Sequence, residues 1–186
     1  SKLIIDEEAS TVFLEDKEMS LDVGSIGKGY AVQRLAAYAK EQGMDHLLLS
    51  VGGNVCAVGG KLDGYPWRVG IENPDLDSGK HYVGTVGLSG KSIVTSGDYQ
   101  RYYVVDGKRY CHIIDPDTGM PPEHFPSVSV LAEDSGLADA LSTALFNMEL
   151  EEGMELVESL PEAEALWILE DGGTRCTSGF KWNEEK

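Results

Sequence analysis

Short apolar runs and stretches of alternating apolar and polar residues recur along the 186-residue chain, and most are bounded by turn-forming residues. This pattern is typical of β-strands that bury one face. It predicts strands over these ranges: Lys2–Asp6, Thr11–Glu15, His46–Val51, Trp67–Ile71, Tyr82–Leu88, Ser92–Tyr99 and Ser127–Leu131. Two more strands are predicted on either side of the turn Asp106-Gly107, and a terminal hairpin is predicted between Glu164 and Phe180.

Helical patterns interrupt the strands in two regions of the chain. The first predicted helix, from Ile26 to Gln42, is rich in alanine and stops before Gly43, a residue type that favours the position just after a helix. Two further helices are predicted from about Gly136 to Asn147 and from about Glu149 to Leu160. Runs of strands separated by helical regions predict an α+β fold with antiparallel sheets, and the length suits a single domain over residues 1–186.

Composition and charge narrow the classes of partner. Hydrophobic residues make up 41% of the chain and charged residues 25%, and 15 basic against 32 acidic side chains give a net charge of −17. A surface this acidic repels phosphate backbones and anionic lipid, which argues against nucleic acids and membrane surfaces as partners. An anionic ligand would need a local source of positive potential, such as glycine amides, a helix N-terminus, a lysine or a metal ion.

The cysteines and the chain ends indicate little about the function. Cys56, Cys111 and Cys176 lie far apart without a CxxC pair, so they predict neither a disulfide framework nor a zinc cluster. No apolar run approaches the roughly 20 residues that span a bilayer, and no signal peptide opens the chain. The first residue is serine rather than methionine, which suggests processing and the removal of any N-terminal anchor.

The first candidate site is SLDVGSIGKGY, residues 20–30. Three glycines surround Ser25 and Lys28 where the first helix begins, and Asp22 closes the preceding segment. Glycines let a ligand approach the backbone, and free amides at a helix start favour an anion. The spacing fits neither a Walker A loop nor a Rossmann fingerprint. The alternative interpretation is a helix start softened by glycine, with Ser25 as its N-cap.

The second candidate is LADALSTAL, residues 137–145. At about 100° per residue, Asp139, Ser142 and Thr143 share one face of the second helix, while leucine and alanine occupy the other. Three oxygen donors at this spacing can hold Mg²⁺ together with substrate phosphates and water. The alternative is a solvated polar face, which is the usual meaning of an amphipathic pattern.

Two loop segments complete the set of candidates. In YCHIIDPDTGM, residues 110–120, His112 precedes a turn that starts at Asp115, and it could titrate near neutrality and act as a base. A lone histidine is, however, more often packed in the core or exposed on the surface. In VTSGDYQRYY, residues 94–103, small hydroxyl residues such as Thr95 could cradle a phosphate, and the tyrosines could flank an aromatic ring system. Strand aromatics are more often core or cross-strand pairs.

Considered together, these segments resemble the ApbE family, the FAD:protein FMN transferases, also described as thiamine biosynthesis lipoproteins. Six motifs in the family's order cover nearly the whole chain: LDVGSIGKGYAV, LLLSVGGNVCAVG, PWRVGIENP, VTSGDY, HIIDPDTGMP and ADALSTALF. The resemblance implies a T-fold-like α+β domain that binds FAD and Mg²⁺. It also implies transfer of the FMN part of FAD, through a phosphodiester bond, to a threonine or serine of an acceptor redox protein, with release of AMP.

The resemblance also implies roles for single residues. Asp22 and Lys28 match family positions at the FAD, and Ile114 matches a position that contacts the flavin nucleotide. His112 matches the histidine proposed to deprotonate the acceptor hydroxyl. The implied metal ligands are Ser25, Asp139 and Thr143. Ser142 lies beside them, at a position where some relatives carry an acid.

Two other functions stay open at this point. Water in place of the acceptor hydroxyl would make the chain an FAD pyrophosphatase that gives FMN and AMP. A catalytically incomplete flavin-binding module is the second, because the resemblance implies a substantial preceding segment that adds walls to the FAD pocket.

The family further implies a location outside the cytoplasm, periplasmic or anchored to the membrane as a lipoprotein. Asp171-Gly172-Gly173-Thr174 is similar to the family's acceptor motif, but we interpret it as a hairpin turn.

Overall fold

The computed structural model describes residues 2–99 and 101–185, and it has an α+β fold. The three helices of this part of the chain are α1 (Gly27–Glu41), α2 (Ser135–Phe146) and α3 (Leu150–Glu158). Its strands, in chain order, are β1 (Leu3–Asp6), β2 (Thr11–Leu14), β3 (Leu47–Val51), β4 (Asn54–Val58), β5 (Trp67–Glu72), β6 (Tyr82–Leu88), β7 (Ser92–Gly97), β8 (Tyr102–Val105), β9 (Lys108–Cys111), β10 (Ser127–Ala132), β11 (Ala163–Ile168), β12 (Thr174–Cys176) and β13 (Trp182–Glu184).

An antiparallel six-stranded sheet organises the molecule, with strand order β12-β11-β10-β7-β4-β3. A second antiparallel sheet has the order β13-β6-β5, and two separate hairpins are formed by β1 with β2 and by β8 with β9. The α+β fold with antiparallel sheets that the sequence predicts is therefore confirmed.

Each face of the six-stranded sheet packs on a different layer, because side chains alternate along a strand. On β7 and β10, Val94, Val128 and Val130 lie in one apolar cluster with α2 and α3. Their neighbours Ile93 and Leu131 belong to a second cluster, which joins the central sheet to the three-stranded sheet. A residue's position on β7 therefore determines whether its side chain faces the helices or the second sheet.

Two strands were not predicted, and β4 shows why. Gly52-Gly53-Asn54 has a composition typical of a turn, but the turn uses only the two glycines, with φ of 49° and 92°, and Asn54 already begins β4. A two-residue turn with both φ values positive suits a tight hairpin, so the chain reverses at once and pairs β3 with β4. The second missed strand, β13, has only 3 residues, too few to give a pattern.

Helices α1 and α2 approach each other closely at two glycines. A Cβ on Gly29 would overlap the carbonyl oxygen of Ser135 and come within 2.5 Å of the Asp139 Cβ, and a Cβ on Gly136 would lie 3.5 Å from the Tyr30 nitrogen. The lack of side chains at these crossing points lets the backbones touch. The start of α1 is thereby placed directly beside Asp139.

None of the helices in the described part of the chain has both the length and the apolar character needed to cross a bilayer.

Candidate functional site

Asp139 on α2 links the two helices through a buried carboxylate. Only 2% of the residue is exposed. Its Oδ2 accepts a hydrogen bond of 2.7 Å from the Gly29 amide in the first turn of α1, and its Oδ1 lies 3.4 Å from the Lys28 Nζ. A negative charge beside a helix N-terminus is stabilised by the helix dipole. The carboxylate is therefore held in place by both an amide and an ammonium group.

Hydroxyl groups surround the next turn of the same helix. The Ser142 Oγ donates to the Asp139 carbonyl oxygen at 2.9 Å, and the Thr143 Oγ1 lies 3.3 Å from the same oxygen. Ser96 on β7 brings a third hydroxyl, 2.9 Å from the Ser142 Oγ and 3.5 Å from the Thr143 Oγ1. The polar face of α2 thus packs against a strand. The solvated-face alternative is wrong, because Ser142 is as inaccessible to water as the core.

The beginning of α1 supplies positive potential at this place. Gly27 donates its amide to the Val23 carbonyl at 2.7 Å and Gly29 donates to Asp139, whereas no hydrogen bond between described residues uses the Lys28 amide. The Lys28 side chain is 43% exposed and passes the hairpin turn at Gly52. An amide and an ammonium group at one helix start suit an anion such as a phosphate.

Ser25 and Asp22 lie in the exposed turn that leads into α1. The Asp22 Oδ1 accepts the Gly24 amide at 2.6 Å, which stabilises the turn. Ser25 does not cap the helix, because the N-cap is Ile26 and no side chain caps this end. The alternative interpretation of Ser25 as N-cap is therefore wrong, and its hydroxyl is not committed to a helix cap.

His112 directly follows β9 and is exposed. Its Nδ1 lies 3.3 Å from the Arg101 carbonyl oxygen. A carbonyl oxygen only accepts, so Nδ1 carries the proton and the neutral ring keeps a lone pair on Nε2. Partial burial lowers the pKa of His112 below its ordinary 6.5, and the charges of Arg101 and Lys28 lower it further, although the hydrogen bond to Arg101 opposes this. The Lys28 charge thus contributes to the lowered pKa of His112.

The loop after His112 is organised by Asp115. Its carboxylate accepts the Asp117 amide at 2.9 Å and the Thr118 hydroxyl at 2.8 Å, and these two bonds lower the pKa of Asp115. The acid therefore stabilises the turn. Ile114, immediately before it, has 51% of its surface exposed and is accessible to a ligand.

Thr95 is not brought to the cluster around Asp139. Its side chain faces away from α2 and lies 2.7 Å from the Ser129 Oγ, on the side of the second sheet. The hydroxyl that reaches α2 from β7 belongs to the next residue, Ser96. Strand alternation could have identified Ser96, since it shares a face with Val94, which packs against the helices.

The donor set around Asp139 suits a hard cation that keeps its other ligands. No group of three or more histidine, cysteine, aspartate or glutamate side chains able to hold a metal exists within residues 2–99 and 101–185. Asp139 therefore offers one carboxylate and Thr143 one hydroxyl. Mg²⁺ typically binds through one or two carboxylates, with substrate phosphates and water completing its octahedron. The residues present fit Mg²⁺ in combination with a phosphate ligand, and do not form a closed structural metal site.

The family model and the relatives that match this chain all indicate the same family. The model of the ApbE family matches residues 1–167. A protein named FAD:protein FMN transferase from Klebsiella pneumoniae is 34% identical over 171 residues, covering 91% of this chain and 52% of the relative. A protein of the same name from Escherichia coli K12 is 40% identical over 157 residues, covering 84% of this chain and 44% of the relative. The chain spans about half the length of the curated relatives it matches.

Solved structures agree with these relatives. The crystal structure of the ApbE protein from Thermotoga maritima superposes with a TM-score of 0.87 at 36% identity, covering 100% of this chain and 60% of that one. The flavin transferase ApbE from Vibrio cholerae superposes with a TM-score of 0.83 at 34% identity, covering 96% of this chain and 57% of that one.

Proposed function

The chain belongs to the ApbE family, and from this premise we propose that it transfers FMN from FAD to a threonine or serine hydroxyl of an acceptor redox protein, releasing AMP, in a reaction that depends on Mg²⁺. The observation that carries the proposal is the buried Asp139 carboxylate, which accepts the Gly29 amide at the start of α1 and lies 3.4 Å from the Lys28 Nζ. A buried carboxylate beside a lysine side chain and the backbone amides at a helix start can bind a diphosphate together with a cation.

Within this proposal, Asp139, Thr143 and Ser25 hold Mg²⁺, while Lys28 and the amides of α1 bind the diphosphate of FAD. A bound divalent cation neutralises phosphate oxygens on which charge develops in the transition state. Lys28 adds a second positive charge, and it explains how a chain with a net charge of −17 could hold an anion. Asp22 and the exposed Ile114 contribute contacts to FAD outside the phosphates.

His112 acts as the base in the proposed reaction. The acceptor hydroxyl oxygen forms a bond to the FMN phosphorus, and the bond from that phosphorus to the bridging oxygen breaks, so that AMP leaves. The hydroxyl proton passes to the His112 Nε2, which carries a lone pair because Nδ1 donates to Arg101. The proposal requires the acceptor hydroxyl to meet the diphosphate next to His112, whose pKa is already influenced by the Lys28 charge.

The test is product analysis with the purified chain, FAD, Mg²⁺ and a panel of redox-protein acceptor domains that offer threonine or serine. We expect one acceptor to gain the mass of FMN while AMP appears in equal amount. Free FMN with AMP and an unmodified acceptor would instead favour the pyrophosphatase, and FAD binding without AMP would favour the incomplete binding module. The absence of both FAD binding and AMP would contradict the proposal in every form.

The acid limb of the pH profile should report His112. Since the pKa of His112 is lowered from its ordinary 6.5, the rate of AMP release should begin to fall at a lower pH than it would with an unperturbed imidazole as base. Replacing His112 with glutamine should slow transfer about 100-fold and remove that limb, because a general base contributes roughly this factor. Rates are measured from pH 5 to 8 at FAD concentrations well below KM, so that kcat/KM reports the pKa of the ligand-free chain.

A matched control is His46→Gln. His46 is also exposed, and its Nδ1 lies 2.8 Å from the Gly60 carbonyl oxygen, so it repeats the arrangement of His112 at another place on the surface. This variant should keep the rate and the acid limb of the unchanged chain. An acid limb that persists in His112→Gln would show that another group acts as the base.

The location outside the cytoplasm, periplasmic or attached to a membrane through a preceding anchor, is part of the same proposal. Fractionation of cells that express the native gene tests it, and recovery of the protein with cytoplasmic markers alone would contradict it.

A further inference from the structure

We propose that Ser96 is a positioning residue that orients the Thr143 hydroxyl toward a bound divalent cation. The inference rests on the proposed function, because it assumes that Thr143 is a cation ligand, but it concerns a residue to which neither the sequence motifs nor the reaction assigns a role. Ser96 lies on β7, and its Oγ is 2.9 Å from the Ser142 Oγ and 3.5 Å from the Thr143 Oγ1.

The direction of the hydrogen bonds follows from counting protons. Each hydroxyl carries one proton, and Ser142 uses its own to donate to the Asp139 carbonyl oxygen. In the contact between the two serines, Ser96 must therefore be the donor and Ser142 the acceptor. The proton of Ser96 is then committed, so it can only accept from Thr143. The chain of donation runs from Ser96 through Ser142 to the carbonyl, and Thr143 can extend it by donating to Ser96.

This direction leaves the Thr143 oxygen at the outer end of the chain. Whether Thr143 donates to Ser96 or to the Asp139 carbonyl oxygen at 3.3 Å, its proton points into the protein. Its lone pairs are then available on the other side, where Thr143 is only half-buried. A hydroxyl oxygen with its proton directed away is suited to bind a cation, and successive hydrogen bonds polarise one another in the same sense.

Ser96 also fixes the position of α2 against the central sheet. Ser142 is fully buried and one turn along the helix from Asp139, so the contact from β7 reaches the segment that carries both proposed ligands. Partners that orient metal ligands typically change metal affinity by about 10- to 100-fold when they are removed. Loss of the Ser96 hydroxyl would leave Ser142 without its donor and would remove one of the two groups to which Thr143 can donate, so that Thr143 keeps only its 3.3 Å contact to the carbonyl.

The test measures cation binding directly and does not depend on turnover. Mn²⁺ is titrated into the chain in the presence of FAD, and the free ion is followed by electron paramagnetic resonance. We expect Ser96→Ala to weaken Mn²⁺ binding by about tenfold or more, and Ser96→Thr, which keeps the hydroxyl, to restore most of the affinity.

The matched control is Ser129→Ala on β10. Ser129 is fully buried, and its Oγ lies 2.7 Å from the Thr95 Oγ1 on the opposite face of the sheet, so this variant loses a comparable buried hydrogen bond away from α2. It should bind Mn²⁺ like the unchanged chain. Urea unfolding of both alanine variants checks that each is folded and that their stabilities are similar.

Three results would overturn the inference. The first is Mn²⁺ affinity of Ser96→Ala within about twofold of the unchanged chain, which is below the range expected for such a partner. The second is an equal loss in Ser96→Ala and Ser129→Ala, which would indicate general loosening of the sheet. The third is the absence of Mn²⁺ binding by the unchanged chain, which would remove the proposed metal site itself and so separates this failure from a failure of Ser96 alone.

Discussion

Replacing Asp139 with asparagine is expected to lower the rate of FMN transfer by about 100-fold or more, because removing one preorganised electrostatic contact in an active site costs ~10²–10³ in rate. The amide oxygen of asparagine can still accept the Gly29 amide, which Asp139 does at 2.7 Å. The side chain keeps nearly the same shape in its buried position, but it no longer carries the charge that a divalent cation requires. Activity and fold should therefore separate in this variant.

The rate is measured as AMP release with FAD and an acceptor over a range of Mg²⁺ concentrations, alongside urea unfolding. Asp134→Asn is the matched control, since Asp134 also accepts a backbone amide, that of Leu137 at 2.8 Å, but serves as the N-cap of α2. Asparagine and aspartate cap helices about equally well, so this control should retain both rate and stability. Normal Mg²⁺-dependent activity in Asp139→Asn would remove Asp139 from the metal site.

Among the variants proposed, Gly29→Ala should cause the largest decrease in the free energy of unfolding. The added Cβ would overlap the Ser135 carbonyl oxygen and lie 2.5 Å from the Asp139 Cβ, and neither can move without shifting a helix. Overpacking of this kind costs about 1–3 kcal/mol and sometimes more, and we expect the free energy of unfolding to fall by about 3 kcal/mol. Helix α1 would also move away from Asp139, so the bond to the Gly29 amide would be lost together with activity.

Gly27→Ala provides the comparison within the same helix. A Cβ at Gly27 would meet only the Val23 Cγ2 at 3.8 Å, an ordinary contact. Alanine is favoured over glycine in helices by about 1 kcal/mol, so this variant should be as stable as the unchanged chain or slightly more stable. Urea unfolding of both variants gives the two free energies. Equal stability of Gly29→Ala and Gly27→Ala would show that the helices do not cross as closely as the structure indicates.

The sequence predicts which residues share a helix face, but not what that face contacts. The spacing of Asp139, Ser142 and Thr143 correctly places all three on one side of α2, and the same spacing is equally typical of a solvated surface. What buries this face is the approach of α1 at Gly29 and the hydroxyl of Ser96 from β7, both distant in sequence. Contacts of this kind depend on the tertiary arrangement, which periodicity does not contain.

The sequence predicts local turns better than it predicts which side chains contact a ligand. The Asp115 loop forms the turn expected from its sequence, and its carboxylate is used to hold that turn. The hydroxyl-rich segment alone predicts Thr95 as a ligand-binding residue, and in the structure its side chain faces the opposite side of the sheet from α2. The alternation of β7 indicates that Ser96, and not Thr95, shares the face that packs against α2.

The central claim is that Asp139 and Thr143 hold a divalent cation next to a bound diphosphate. It is tested most directly by an anomalous-difference map from crystals of the chain grown with FAD and Mn²⁺. We predict a single strong peak within coordination distance of the Asp139 carboxylate and the Thr143 hydroxyl, in contact with the diphosphate of FAD at the start of α1. A peak located elsewhere, or FAD bound with its phosphates away from this helix, would contradict the account.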